Sequence, residues 1–186
     1  MGRLIYSTIA SLDGLVEDPA GDIAWGAPDE EVFRFINDLE RPVGTYLYGR
    51  RMYETMLYWE AAHTLPDQTA VESDFTTIWQ AARKVVYSRT LESVSSARTR
   101  LEREFDVPAV RQLIESFEQD MTVAGSELAA QALAFGLVDE LQLFVMPLVL
   151  GGGKSWLPSD VRLDLQLLDS RRFGGGTVYL RYQVRS

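Results

Sequence analysis

Apolar positions along the chain follow two rhythms that alternate as far as residue 136, and this alternation sets the expected architecture. Arg3–Ala10 is rich in β-branched and aromatic residues and reads as a largely buried strand. Ser11-Leu-Asp-Gly14 follows as a turn, and a loop runs on through Glu17–Asp22. Pro28 with Asp29, Glu30 and Glu31 suits the first turn of a helix, whose apolar side is Val32, Phe35, Ile36 and Leu39. Gly44–Tyr48 is the second strand, and it meets a short helix over Gly49–Met56. Val71, Phe75, Ile78 and Ala82 mark another helix, Lys84–Tyr87 a strand, and Thr99–Phe105 a weak one. Asp106 or Val107 caps the next helix, which Pro108 opens and which turns Val110, Leu113, Ile114 and Phe117 inward. A strand beginning at Met121 then runs through Gly125 into a helix with Ser126 as N-cap, Leu128, Ala132 and Leu133 on its apolar side and Gly136 at its end.

Strand and helix in alternation predict a mostly parallel sheet with helices on both faces. From Asp139 the rhythm changes. Glu140–Pro147, Leu163–Phe173 and Thr177–Arg185 read as strands, with glycine triplets at 151–153 and 174–176. In the last strand Val178, Leu180, Tyr182 and Val184 alternate with Tyr179, Arg181, Gln183 and Arg185, so only one side is expected in the core. An antiparallel C-terminal hairpin added to one α/β domain, residues 1–186, is therefore expected. The apolar run Leu143–Leu150 reads either as an inner strand of that sheet or as a surface through which two copies form a homodimer.

Composition narrows the chemistry. With 46% hydrophobic residues in 186, one full-sized core is affordable. A net charge of −9 argues against a sequence-independent nucleic-acid surface. The chain has no cysteine, which removes disulfides, thiolate metal sites and a cysteine nucleophile; no metal is expected. His63 is the only histidine, in a polar stretch with no nucleophile motif nearby, and reads as a surface residue. No apolar run approaches a membrane span and the N-terminus lacks a signal-peptide layout, so a cytoplasmic location is expected.

The two glycine-headed junctions, at Gly49 and Gly125, are candidate phosphate seats. At a helix start several backbone N–H groups lack partners and the dipole favours an anion, while glycine lets a ligand approach closely. Each junction alone also reads as a plain tight turn. In a parallel α/β sheet ligands bind beyond the carboxyl ends of the strands, so Ala10, Gly49, Ser88 and Gly125 would line one rim. Arg50, Arg51 and Arg89 there form a local basic cluster in an acidic chain, suited to a further phosphate.

At these residues the chain resembles the dihydrofolate reductase-like superfamily, most closely a stand-alone bacterial form of the reductase domain of the bifunctional riboflavin-biosynthesis deaminase-reductase. The stretches that carry the likeness are Ser11–Gly14, Tyr48-Gly-Arg-Arg-Met-Tyr-Glu54, Ser88-Arg-Thr90, Val123-Ala-Gly-Ser126, and Asp139 through Pro147-Leu-Val-Leu-Gly-Gly-Gly153. The resemblance implies a three-layer fold and an NADPH-dependent oxidoreductase that acts on a pterin-like or pyrimidine-like heterocycle. It implies Gly49–Arg51 and Gly125, Ser126, Glu127 and Leu128 at the pyrophosphate, Arg50 or Arg51 with Ser88 and Arg89 at the 2′-phosphate, and nicotinamide near Ala10. On the substrate side Trp25, Phe33, Tyr53, Met56 and Trp59 are candidates for a ring slot. Asp29 or Glu30 would be the helix carboxylate, Asp13 an alternative polar group, and Lys154 a contact for a substrate phosphate. Two alternatives stand beside a general heterocycle reductase: a 5-amino-6-(5-phosphoribosylamino)uracil reductase, and a non-catalytic dinucleotide-binding or interaction protein.

Overall fold

β1 (Leu4–Ser11) lies in the middle of the sheet, as its apolar run requires. Leu4, Ile5 and Tyr6 are buried, and parallel strands pair with it on both sides. The structure is a computed structural model that describes residues 2–185. After β1 come β2 (Leu15–Glu17), α1 (Glu30–Glu40), β3 (Thr45–Gly49), α2 (Arg50–Met56), α3 (Tyr58–Ala61), α4 (Ala70–Ala81) and β4 (Arg83–Tyr87). Then follow β5 (Thr99–Glu102), α5 (Val107–Ser116), β6 (Met121–Ala124), α6 (Ser126–Ala134), β7 (Glu140–Met146), β8 (Lys154–Ser155), β9 (Asp164–Arg172) and β10 (Val178–Arg185). Among the described residues, no helix is long and apolar enough to cross a membrane.

The main sheet runs β5-β4-β3-β6-β1-β7-β10-β9. The first six strands are parallel neighbours, and only β10 runs against the strands beside it. The sequence thus foretold the α/β class, the parallel sheet and the C-terminal hairpin. β2 and β8, too short to show a period, form a separate two-stranded ribbon.

Helix starts follow local hydrogen bonding. The Asp29 carboxylate accepts from the Val32 amide at 2.9 Å, Thr69 and Glu72 form a capping box, and Asp106, rather than Val107, caps α5. Ser126 is not a cap. Gly125 takes that position with φ 93°, a conformation other residues rarely adopt, and Ser126 becomes the first helical residue.

On one face of the sheet Leu4, Tyr6, Leu47, Val85, Met121, Val123 and Leu141 pack under Val110 and Ile114 of α5 and Leu128, Ala132 and Leu133 of α6. The opposite face carries two separate clusters. Tyr46, Tyr48 and Val86 join Phe75 and Trp79 of α4, whereas Phe144, Phe173 and Tyr179 join Val32, Phe35 and Ile36 of α1. Between them β1 and β6 present Ser7, Ile9, Thr122 and Ala124, which are mostly too small or too polar to bridge the clusters.

Two expectations need correction. β7 sits inside the sheet with β1 on one edge and β10 on the other, so Leu143–Leu150 offers no strand to a second copy. In β10 the alternation does not divide core from solvent: Tyr179, on the side of Arg181, Gln183 and Arg185, is wholly buried. α1 covers that face, and Phe35 meets the Tyr179 ring edge-on at 4.9 Å. Tyr182 and Val184 lie on the other face, partly buried against the α5–α6 layer.

Replacing Tyr179 by Ala is expected to lower stability by about 3–5 kcal/mol, as for other buried aromatic rings. Gln183→Ala on the same strand should stay within about 0.5 kcal/mol. Urea unfolding followed by circular dichroism checks both.

Candidate active site

β3 and β6 are parallel neighbours in which Tyr48 pairs with Ala124. The next residue of each strand is the glycine that opens a helix, so the two helix starts stand side by side at one height. A Cβ on Gly49 would lie 4.0 Å from Leu128 Cβ, and one on Gly125 would lie 3.4 Å from Met52 Cβ. Each helix thus packs against the first residues of the other's strand junction, and the two share one groove. The first helical bond of α6 runs from the Ala129 amide to the Gly125 carbonyl, which leaves the amides of Ser126, Glu127 and Leu128 free of helical acceptors. The Leu128 side chain is buried, so its amide is what it offers to a ligand.

The basic cluster assembles at the same rim. Arg50 at the start of α2 donates to the Thr90 hydroxyl at 3.3 Å, which draws it to the turn that follows β4. Arg89 of that turn is exposed. The Ser88 hydroxyl accepts from the Leu91 amide at 3.0 Å and holds the turn's shape. Glu127 brings a carboxylate close to this site. Lys154 Nζ binds it at 2.6 Å, and Lys154, first by hydrogen bond and then by charge, together with the more distant Arg51, holds its pKa below the ordinary value. Lys154 is therefore engaged with α6 and is not a free cation for a substrate phosphate.

Next to the groove, in the gap between the two clusters, is a cavity of about 820 Å³ that reaches the rim at Gly125 and Ser126. Trp25, Phe33, Met56 and Trp59 line it, as the sequence suggested. Phe33 meets Trp59 edge-on at 6.1 Å, and the Trp25 indole is fixed by donating to the Asp22 carbonyl at 2.9 Å. Tyr53 does not line it. Its ring is buried in the α4-side cluster and its hydroxyl accepts from the Ser95 and Ser96 amides at 2.9 and 3.2 Å. Ala10 is fully buried too, and Ser7, Thr8 and Ile9 are the β1 residues that meet the cavity.

Of the three candidate carboxylates, two have structural work. Asp13 accepts from the Leu150 and Gly151 amides at 3.1 and 2.8 Å and so ties the first turn to the glycine triplet. The Ser11 hydroxyl foremost, then these amides, pull its pKa down to about 2, which makes it an anchor and not a proton donor. Asp29 is the α1 cap, and its other oxygen lies against Gly175 of the β9–β10 turn. Glu30 lines the cavity and pairs with Arg34 at 2.5 Å, both largely exposed.

Deeper in the cavity are residues that sequence reasoning missed: Glu40, Tyr46, Tyr48 and Thr122. Glu40 falls four residues after Ile36 and seven after Phe33, so helical spacing places an acid on the cavity-facing stripe. That was the available signal. Burial pushes the Glu40 carboxyl up to about 7, with the Tyr46 hydroxyl acting weakly the other way.

Comparison with known proteins returns one family. Residues 3–179 match the RibD C-terminal domain. Protein YyaP of Bacillus subtilis (strain 168), itself uncharacterized, is 27% identical over 184 residues, covering 97% of this chain and 94% of its own. A Shewanella sp. PV-4 protein ascribed to riboflavin biosynthesis superposes with a TM-score of 0.75 at 18% identity, over 99% of each chain. Dihydrofolate reductase from Enterococcus faecalis, solved with NADP(H) and RAB-propyl, gives 0.63 at 14% identity, over 100% of this chain and 98% of that one. The three-layer dihydrofolate reductase-like fold is thereby established.

The raised pKa of Glu40 makes stability depend on pH with a definite sign. The unfolded chain ionises this carboxyl from about 4.5, whereas the folded protein keeps it neutral up to about 7, so stability falls as pH rises through that window. Glu40→Gln, which stays neutral, should match the parent at pH 4 and exceed it by up to about 3 kcal/mol at pH 8. Urea midpoints at the two pH values measure the difference.

Proposed function

Because the chain belongs to the RibD C-terminal domain family, we propose that it is an oxidoreductase that passes a hydride from NADPH to a pyrimidine-like or pterin-like heterocycle seated in the cavity. The observation that carries this proposal is the single groove between the starts of α2 and α6, which opens beside that cavity at Gly125 and Ser126.

The residues present fit such a cofactor. The free amides of Ser126, Glu127 and Leu128 and the start of α2 after Gly49 are donors for a pyrophosphate, and Gly125 leaves the space that a Cβ would take. Arg50, with Arg89 and Arg51 close by, supplies the charge for a ribose 2′-phosphate. When bound, NADPH supplies the hydride. The chain's part is orientation and exclusion of water: Phe33, Met56, Trp59 and Trp25 give a planar ring apolar walls. Glu30 is the one candidate carboxylate that faces the cavity without a backbone amide to hold it. Family membership favours 5-amino-6-(5-phosphoribosylamino)uracil as first substrate to assay, with dihydropterins beside it. The engagement of Lys154 with Glu127 means that a substrate phosphate must find another cation.

We also infer a homodimer, formed by β9 in place of the excluded β7. All nine residues of this edge strand are exposed, among them Leu165, Leu167 and Leu168. Two copies paired antiparallel about Gln166, ahead of the bulge at Leu168, would set Leu165 of each opposite Leu167 of the other. Leu167→Asp should give a monomer by sedimentation where the parent sediments as a dimer; an unchanged sedimentation coefficient rejects this edge.

The reductase proposal predicts NADPH oxidation with one of these heterocycles. Arg89→Ala should raise the Kd for NADPH tenfold to a hundredfold, the loss of one charge-assisted contact of about 1.5–3 kcal/mol, and leave NADH binding unchanged. Equal weakening for both nucleotides would reject the 2′-phosphate assignment. Tight NADPH binding with no turnover on any of these heterocycles would favour the non-catalytic dinucleotide-binding protein.

A further inference from the structure

Among the described residues that line the cavity there is no Lys, Arg or His, whereas Glu17, Glu30, Glu40 and Glu72 are all there. Glu40 is buried, which keeps it neutral up to about 7, so the other three set the sign of the cavity. Glu30 is exposed and shares the solvent side with Tyr58 and Thr69, while Glu17 and Glu72 are half-buried in the walls. The amide and hydroxyl of Thr69 hold the Glu72 carboxyl below its ordinary pKa, which keeps it charged. The net charge of −9 acts in the same sense.

A phosphate ester bound by a protein is held by guanidinium or ammonium groups, or by free amides at a helix start. Around this cavity both kinds are already engaged. Arg34 pairs with Glu30 at 2.5 Å and Lys154 with Glu127 at 2.6 Å. Arg50, Arg51 and Arg89 belong to the rim turns of the neighbouring groove and do not line the cavity. The helix starts beside the mouth are closed by the chain's own acids. At the head of α1 the Asp29 carboxylate accepts from the Val32 amide at 2.9 Å. At the head of α4 the Glu72 carboxylate accepts from the Thr69 amide at 2.8 Å, and the Thr69 hydroxyl accepts from the Glu72 amide at 3.3 Å. A phosphate arriving there would have to displace a carboxylate or lie against one.

We propose that the substrate of this cavity is a heterocycle without phosphate, neutral or cationic, whose side group carries hydroxyl or amino donors. The proposal rests on the reductase reading for its choice of a heterocycle, and it narrows that reading: the phosphoribosyl compound gives way to its unphosphorylated counterpart. A cleft whose walls carry one sign of charge concentrates its field on whatever enters. A phosphate ester brings roughly −1.5 to −2 charges and meets three carboxylates with no counter-ion among the lining residues. Hydroxyl and amino groups instead find acceptors in those same oxygens and in the hydroxyls of Tyr58 and Thr69. Repulsion of the wrong substrate confers specificity as effectively as attraction of the right one, and apolar walls alone would not tell a phosphorylated side group from a free one.

Two matched pairs test it: 5-amino-6-ribosylaminouracil against its 5′-phosphate, and 6-hydroxymethyl-7,8-dihydropterin against its monophosphate. Each is titrated by calorimetry into the whole chain with NADP+ present, the proposed occupant of the groove, which delivers no hydride. The unphosphorylated member of at least one pair should bind at least tenfold more tightly. Glu17→Gln combined with Glu72→Gln, which leaves a glutamine in the capping box, should cut that ratio at least threefold. Raising salt to about 0.5 M, which screens the charges, should do the same. A ratio below tenfold in both pairs, a phosphorylated member preferred in either, binding of neither unphosphorylated member, or a ratio that neither the double variant nor salt lowers overturns the proposal. Should the double variant fail to fold, the salt series decides. NADPH oxidation is scored separately: the preference without turnover of any of the four sinks the reductase and leaves the substrate class, and turnover of a phosphorylated member at equal or higher kcat/KM does the reverse.

Discussion

The register between β3 and β6 is the constraint on which the site depends. With Tyr48 opposite Ala124, the two strand-to-helix glycines come level and two helix starts address one groove. The same pairing puts Tyr46 and Tyr48 on the cavity face together with Thr122 and Ala124. A slip of one residue in either strand would send its side chains to the opposite face and stagger the helix starts. The groove between the two helix starts and the cavity beside it are therefore two results of one strand pairing.

The cavity follows from what the middle of the sheet lacks. Aromatic clusters on either side bury large rings, Trp79 and Phe75 in one and Phe144, Phe173 and Tyr179 in the other. The strands between them carry Ser7, Thr122 and Ala124, whose side chains do not reach α1 and α4. Interiors otherwise pack densely, so a gap this large beneath two covering helices sets the middle of the sheet apart from the packed core on either side.

Much of this was legible in the sequence. Parallel strands buried on both faces show as short apolar runs, and helices betray themselves by their 3.6-residue stripe, so the order of elements could be read directly. Both glycine junctions could be read as well, because Gly49 and Gly125 stand at visible changes of rhythm. What escaped depends on layer contacts. Tyr179 alternates with apolar neighbours as an outer residue would, and only the placement of α1 over β7 and β10 buries it. Asp29 and Asp13 look chemically available until the amides that hold them are seen. Glu40 ends its helix where acids usually meet solvent, and its burial depends on β3 returning beneath it.

The Glu140 cluster bears on how the molecule can move. This carboxylate joins Arg3, just before β1, to Arg181 of β10, and Arg3 also binds Asp120 at the foot of β6. Four adjacent strands are thus stapled at the end of the sheet away from the rim. The sheet is thus tied across its width at the end opposite the rim, like a book sewn along its spine.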